Sequence, residues 1–213
     1  MTIRVLLADD HAIVRDGLRV LLESQAEMRV VGLAANGRQA VRLVRELRPE
    51  VVVMDLAMPG LNGLEATGQI KRDWPAVQVI MLSMHAGLDQ VCRALVAGVN
   101  GYVLKETAGL EVVAAVRAVW AGQSYFSQDV ADRVRQWDDC QAMEHPLNRL
   151  NGREREILQL VAEGQSNARI AATLHLSCRT VETYRRRLMG KLALKTVPEL
   201  VKFALRQGVI YLE

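Results

Sequence analysis

The chain has 213 residues, of which 50% are hydrophobic and 24% charged, and carries a net charge of +3 at neutral pH. That length suggests one or two domains with room for a real core. No apolar run approaches the ~20 residues of a membrane-spanning helix, which excludes a helical membrane protein. Cys92, Cys140 and Cys178 are widely spaced and include no CxxC, which argues against a disulfide framework and a zinc cluster and leaves small incidental thiols. His11, His85, His145 and His175 show no metal-ligand spacing. The opening Met1-Thr2-Ile3-Arg4 leads straight into a strand pattern without a signal-peptide layout, so the expected location is the cytoplasm, with no membrane partner.

In the first 126 residues strand and helix signals alternate. Strand-like runs are Ile3–Ala8, Arg29–Leu33, Val51–Met54, Val77–Leu82 and Gly101–Leu104, and amphipathic stretches lie between and after them at about 12–25, 37–47, 63–73, 88–97 and 109–121. Continuously apolar strands are those covered on both faces. Consecutive βα units predict an α/β fold, a doubly wound five-stranded parallel sheet with right-handed crossovers. Turn signals fall between the elements at Asn36-Gly37, Pro59-Gly60, Asn62-Gly63 and Gly98.

Residues 127–148 have a different character: a short helix is expected over Asp129–Trp137, then a polar stretch ending at Pro146, together an interdomain linker with a helical first half. The remainder, 149–213, reads as a smaller all-α domain of four helices. Asn151 and Glu154 have capping-box spacing, as do Thr196 and Glu199, while Ser166 and Ser177 cap the two helices between. A few-residue turn between the second and third helices makes a helix-turn-helix. Charge is uneven: residues 1–126 are neutral, 127–148 carry three net negative charges and 149–213 six positive ones. A basic C-terminal module points to a polyanion, most often nucleic acid.

The strand ends carry the chemistry. The first run stops at Asp9-Asp10, the third at Asp55, the fourth at Ser83 and the fifth at Lys105. Ligands of an open parallel sheet bind just outside the carboxyl ends of its strands, so three carboxylates, a hydroxyl and an ammonium converge there. Carboxylates that close raise each other's pKa unless a cation sits between them. The set asks for a divalent metal and an anionic group, most simply Mg²⁺ and a phosphoryl group.

Asp9-Asp10, Asp55-Leu-Ala-Met-Pro-Gly60 with Asn62-Gly63, Ser83, and Tyr102 three residues before Lys105 together resemble the receiver domain of two-component response regulators, and residues 149–213 resemble a LuxR/NarL-type helix-turn-helix. The resemblance covers all but the linker. It implies the flavodoxin-like strand order 2-1-3-4-5, with Asp55 as the phosphoacceptor for a sensor histidine kinase. Mg²⁺ would be held by Asp10, Asp55 and the backbone carbonyl of Ala57, with Asp9 acting through water. Lys105 and Ser83 would hold phosphoryl oxygens. Tyr102 is either an inward-moving switch or an ordinary half-buried aromatic, and His85 either tunes phosphate lifetime or is a solvated loop residue. A phosphohydrolase would need an acid/base Asp where Ala57 stands; a regulator that works without phosphate leaves the intact pocket unexplained.

In the third C-terminal helix Val181, Tyr184, Leu188 and Leu192 make an inner stripe. The opposite face presents Arg179, Thr183, Arg186 and Gly190, with Glu182 and Arg187 alongside, which suits a recognition helix in the major groove of double-stranded DNA. Among these, the resemblance assigns Glu182, Thr183 and Arg186 to base edges. Thr180, Arg187 and Lys191 suit phosphates. The expected working form is a homodimer on two-fold related half-sites, assembled on activation. Asn151-Gly152, Cys178 and Gly190 depart from the commonest family pattern.

Overall fold

The computed structural model describes residues 2–84, 86–134 and 145–211. His85 and residues 135–144 of the expected linker lie outside them. The chain divides into two compact units, Met1–Ala142 and Met143–Glu213.

The first unit is a parallel sheet wrapped by helices. Its strands are β1 (Ile3–Ala8), β2 (Met28–Ala34), β3 (Val51–Asp55), β4 (Gln78–Ser83), β5 (Gly101–Leu104) and β6 (Tyr125–Phe126), alternating with α1 (Ala12–Glu23), α2 (Gly37–Leu47), α3 (Gly63–Asp73), α4 (Leu88–Ala97) and α5 (Ala108–Trp120). The order is β2-β1-β3-β4-β5-β6. The five expected strands are in the expected order. The sixth is a two-residue addition that pairs parallel to β5, Gly101 with Tyr125 and Tyr102 with Phe126.

Alternation along each strand sends one set of side chains to each face. Val5, Leu7, Val51, Val53, Ile80, Leu82 and Val103 join one buried cluster with Leu18 and Leu22 of α1 and Val112, Val116 and Val119 of α5. Leu6, Val52, Met54, Val79, Met81 and Tyr102, on the alternate positions, are also buried. Tyr102 is fully buried rather than half-buried, and its strand is flanked by β4 and β6. After β6 comes α6 (Gln128–Val134), the described part of the expected linker helix. Cys92, expected as an incidental thiol, is disulfide-bonded, a pairing that sequence spacing does not encode; Cys178 is free and exposed.

The second unit is helical: a 3₁₀ turn at Pro146–Arg149, then α7 (Gly152–Ala162), α8 (Asn167–Leu174), α9 (Cys178–Lys191) and α10 (Val197–Arg206). Each start is capped as its sequence predicts. Asn151 and Glu154 form the reciprocal capping box, both bonds 2.9 Å, and Thr196 and Glu199 form another. Ser166 and Ser177 accept from Arg169 and Thr180. Ile157, Leu158, Ile170, Leu174, Val181, Leu188, Leu200 and Ala204 close the core. Tyr184 and Leu192 of the expected inner stripe are only partly buried against it.

One glycine fixes the distance between α3 and the end of β3. A Cβ on Gly63 would lie 2.1 Å from the carbonyl oxygen of Asp55, whereas at Gly68, on the exposed side of the same helix, it would meet nothing. The same substitution therefore has opposite signs at the two sites. Gly68→Ala is expected to stabilise by about 1 kcal/mol through helix propensity, and Gly63→Ala to destabilise by about 2 kcal/mol through overpacking, both read from urea unfolding of the full chain.

Candidate functional site

Sheet register brings the acidic residues together. Asp55 ends β3 opposite Leu82 of β4, and Ser83 pairs with Leu104 of β5. Pairing continues past the strand ends: Asp9 N–H donates to Ala34 O at 3.1 Å, Leu56 N–H to Leu82 O at 2.8 Å and Lys105 N–H to Ser83 O at 2.8 Å. Asp9, Asp55 and Ser83 are thus held by backbone bonds at the carboxyl edge, all three buried. The site lies where β1 has β2 on one side and β3 on the other, the reversal point at which open α/β sheets bind ligands.

Lys105 reaches over this edge. Its Nζ lies 2.9 Å from Asp9 Oδ2 and 2.9 Å from Asp55 Oδ2. Asp55 Oδ1 also accepts the Ala57 N–H at 3.3 Å. The Arg15 guanidinium donates to the backbone carbonyl of Asp9 at 2.6 Å, not to its carboxylate. Burial, and next the charge of Asp9, push the Asp55 carboxyl up to about 7; Lys105 and the Ala57 N–H only partly oppose them. Burial acts to lower Lys105, but the charge of Asp55 and hydrogen bonds to both aspartates outweigh it, so its pKa is raised. Three carboxylates and one ammonium leave the cluster negative.

Ligand atoms of Asp9, Asp10, His11 and Asp55 all lie within 4.8 Å of one another. Every predicted acidic ligand is therefore in the cluster, and the Ala57 backbone adjoins it. This donor set, carboxylate-rich and undercompensated, fits a small divalent cation such as Mg²⁺, which takes few protein oxygens and keeps several waters. His11, for which sequence spacing gives no ligand role, also lies in the cluster, and its backbone N–H donates to Asp9 Oδ1 at 2.8 Å.

In the second unit, α9 packs against α7 and α8. Its buried face is Val181 and Leu188, and Arg179, Glu182, Thr183, Arg186, Arg187 and Lys191 are exposed. The Thr183 hydroxyl donates to the carbonyl of Arg179 at 2.9 Å. Two of the expected phosphate contacts have partners within the fold. The Thr180 hydroxyl lies 2.8 Å from Ser177 Oγ, and Lys191 Nζ donates to Glu154 Oε2 at 2.7 Å. Burial would raise the Glu154 carboxyl, but the Lys191 ammonium and the Asn151 N–H lower it on balance. Arg185 donates to Asn167 on α8. The Lys191–Glu154 and Arg185–Asn167 tethers link residues far apart in sequence, whereas the Ser177–Thr180 contact and the capping half of the Glu154 arrangement are local.

Residues 5–117 match the family model of the response regulator receiver domain, and residues 148–204 that of the bacterial regulatory proteins of the luxR family. The chain is 38% identical over 210 residues to the response regulator protein VraR of Staphylococcus aureus, covering 99% of this chain and 100% of that one. Among solved structures it is similar to a LuxR-family two-component response regulator from Aurantimonas, at 40% identity and TM-score 0.62 over 65% of this chain and 99% of that one. It is also similar to the response regulator RcsB in complex with DNA, at 28% identity and TM-score 0.60 over 95% of this chain and 98% of that one.

Asp55 sets a pH signature for folding. A carboxyl whose pKa is about 7 when folded and 3.8 otherwise keeps its proton in the native state and loses it on unfolding across that window, so stability falls as pH rises through it. Between pH 5 and pH 8, without divalent metal, wild type is expected to lose about 2 kcal/mol more than Asp55→Asn in urea unfolding.

Proposed function

The chain belongs to the two-component response regulators that join a receiver domain to a LuxR-family DNA-binding domain, and from this we propose that phosphorylation of Asp55 by a sensor histidine kinase controls its binding to specific DNA as a transcription regulator. The part-buried Lys105 ammonium between Asp9 and Asp55 is the observation that carries the reading. It stands where negative charge would have to be neutralised when a phosphoryl group arrives. We assign 1–126 to the receiver, 127–148 to the linker and 149–213 to the DNA-binding domain, working in the cytoplasm.

The Asp55 carboxylate attacks phosphorus; the new O–P bond replaces the N–P bond of the donor phosphohistidine, whose imidazole leaves with the electron pair. Asp10, Asp55 and the Ala57 carbonyl would hold Mg²⁺, with Asp9 acting through water. When bound, the ion supplies positive charge to the equatorial phosphoryl oxygens. Lys105 exchanges a carboxylate for a phosphoryl oxygen, and the Ser83 hydroxyl donates to another. Ser83 drawn toward Asp55 changes the surroundings of Tyr102, one strand away. Phosphorylation and autodephosphorylation of Asp55 are the only covalent steps assigned to the chain.

The reader is α9. Glu182, Thr183 and Arg186 face base edges, where Arg forks onto guanine, Glu accepts from cytosine and a Thr methyl meets a thymine methyl, and Arg179 lies on the same DNA-facing side. Thr180, Arg187 and Lys191 take phosphates. Lys191 does so while held by Glu154, as a positioned charge rather than a free one. Two subunits on two-fold related half-sites give a homodimeric complex.

Two outcomes check this. Acetyl phosphate with Mg²⁺ is expected to raise affinity for a DNA site selected from random sequence about tenfold or more and to shift the sedimenting mass to a dimer; identical values with and without the donor contradict the coupling. Arg186→Ala is expected to cost about 1–3 kcal/mol and relax preference at one base position. Arg187→Ala weakens all sequences alike and lowers the salt slope by about 1, both read by fluorescence anisotropy.

A further inference from the structure

One side chain turned into the acidic pocket has no part in the chemistry assigned above. His11 occupies the N-cap position of α1, yet its side chain makes no capping bond. The ring faces the carboxylates instead, with Nδ1 2.8 Å from Asp10 Oδ1 and 3.3 Å from Asp9 Oδ1. Around an octahedral ion with ligands at about 2.1 Å, adjacent ligand atoms lie ~3.0 Å apart. The 2.8 Å separation of Nδ1 from Asp10 Oδ1 is of that size, while Asp9, whose Oδ1 is 3.3 Å away, is the carboxylate that acts through water. The backbone bond from His11 N–H to Asp9 Oδ1, 2.8 Å, fixes the residue there before any ion arrives. The side chain is 64% exposed, so the far edge of the ring, with Nε2, has access to water.

We propose that His11 is a ligand of the divalent cation through Nδ1, and that it turns the pocket toward first-row transition ions such as Mn²⁺ relative to Mg²⁺. The idea presupposes that Asp9, Asp10 and Asp55 take up a divalent cation, as proposed above. Mg²⁺ is a hard ion that favours oxygen, whereas imidazole suits the transition series. A pocket of carboxylates alone selects mainly by charge and size; one imidazole adds a preference for ions that bind nitrogen. In this role the ring would bind through the Nδ1 lone pair, with its N–H at Nε2. Asp10 Oδ1, 2.8 Å from Nδ1 but without a hydrogen-bond partner among the described residues, remains available to the ion.

The test uses the full chain and Mn²⁺. Loss of the free Mn²⁺ electron spin resonance signal measures binding, and pulsed measurement of nitrogen coupling to the bound ion reports the ligand. The expected result is one bound Mn²⁺ with imidazole ¹⁴N coupling, which converts to the ¹⁵N pattern when the protein is labelled with ¹⁵N-histidine and disappears in His11→Gln. In that variant the Mn²⁺-to-Mg²⁺ affinity ratio falls by about tenfold. Bound Mn²⁺ without imidazole coupling, or coupling unchanged in His11→Gln, overturns the role of His11 and leaves the carboxylate site standing. Failure of wild type to bind Mn²⁺ at all, with binding equally absent in Asp10→Asn, removes both. The labelling arm needs no substitution, so it is independent of how the variant folds.

Discussion

The receiver unit is organised around a charge imbalance. Asp9, Asp10 and Asp55 meet at the carboxyl edge of the sheet, two of them buried, with the Lys105 ammonium shared between those two. The Asp55 carboxyl responds by holding its proton to about pH 7, chiefly because burial penalises the charged form. Such a site costs stability as it stands and gains it when positive charge is added. Under the proposed function that is the physical basis of a switch: a cation and a phosphoryl group together would relieve an unfavourable arrangement that the fold maintains. The backbone bonds that extend β1, β3 and β5 by a residue each keep these groups from drifting apart.

The DNA-binding unit solves a different problem, holding a short basic helix at a fixed angle. Glu154 serves two elements at once. It closes the capping box at the start of α7 and accepts the Lys191 ammonium from the last turn of α9. Arg185 ties the middle of α9 to Asn167 at the start of α8. With Val181 and Leu188 buried beneath, the exposed arginines and Thr183 project from a helix braced at three points. Bracing of this kind lowers the ordering cost when a surface meets its partner.

Much of this was legible in the chain itself, for identifiable reasons. Ile3–Ala8 and Gly101–Leu104 are bounded as strands by apolar runs that stop abruptly at charge, and the helices 37–47, 63–73 and 88–97 match their amphipathic patterns. The serine and asparagine caps act within three residues, so local sequence contains the whole interaction. Long-range partners left no such trace. Neither the Lys191–Glu154 pair, 37 residues apart, nor the disulfide state of Cys92 has a periodic or local signal. Tyr125–Phe126 is too short to show alternation, so the sequence carries no signal for β6. His11 has no signal in histidine spacing, because its neighbours in the cluster are carboxylates.

The claim that Asp55 is the phosphoacceptor of a cation-dependent pocket is tested most directly by intact-mass spectrometry after incubation with acetyl phosphate. The account predicts one added phosphoryl group per chain with Mg²⁺, mapped to Asp55 by reductive cleavage of the acyl phosphate, and none with a chelator or in Asp55→Asn. A phosphoryl group gained equally without divalent metal, or retained in Asp55→Asn, would contradict it.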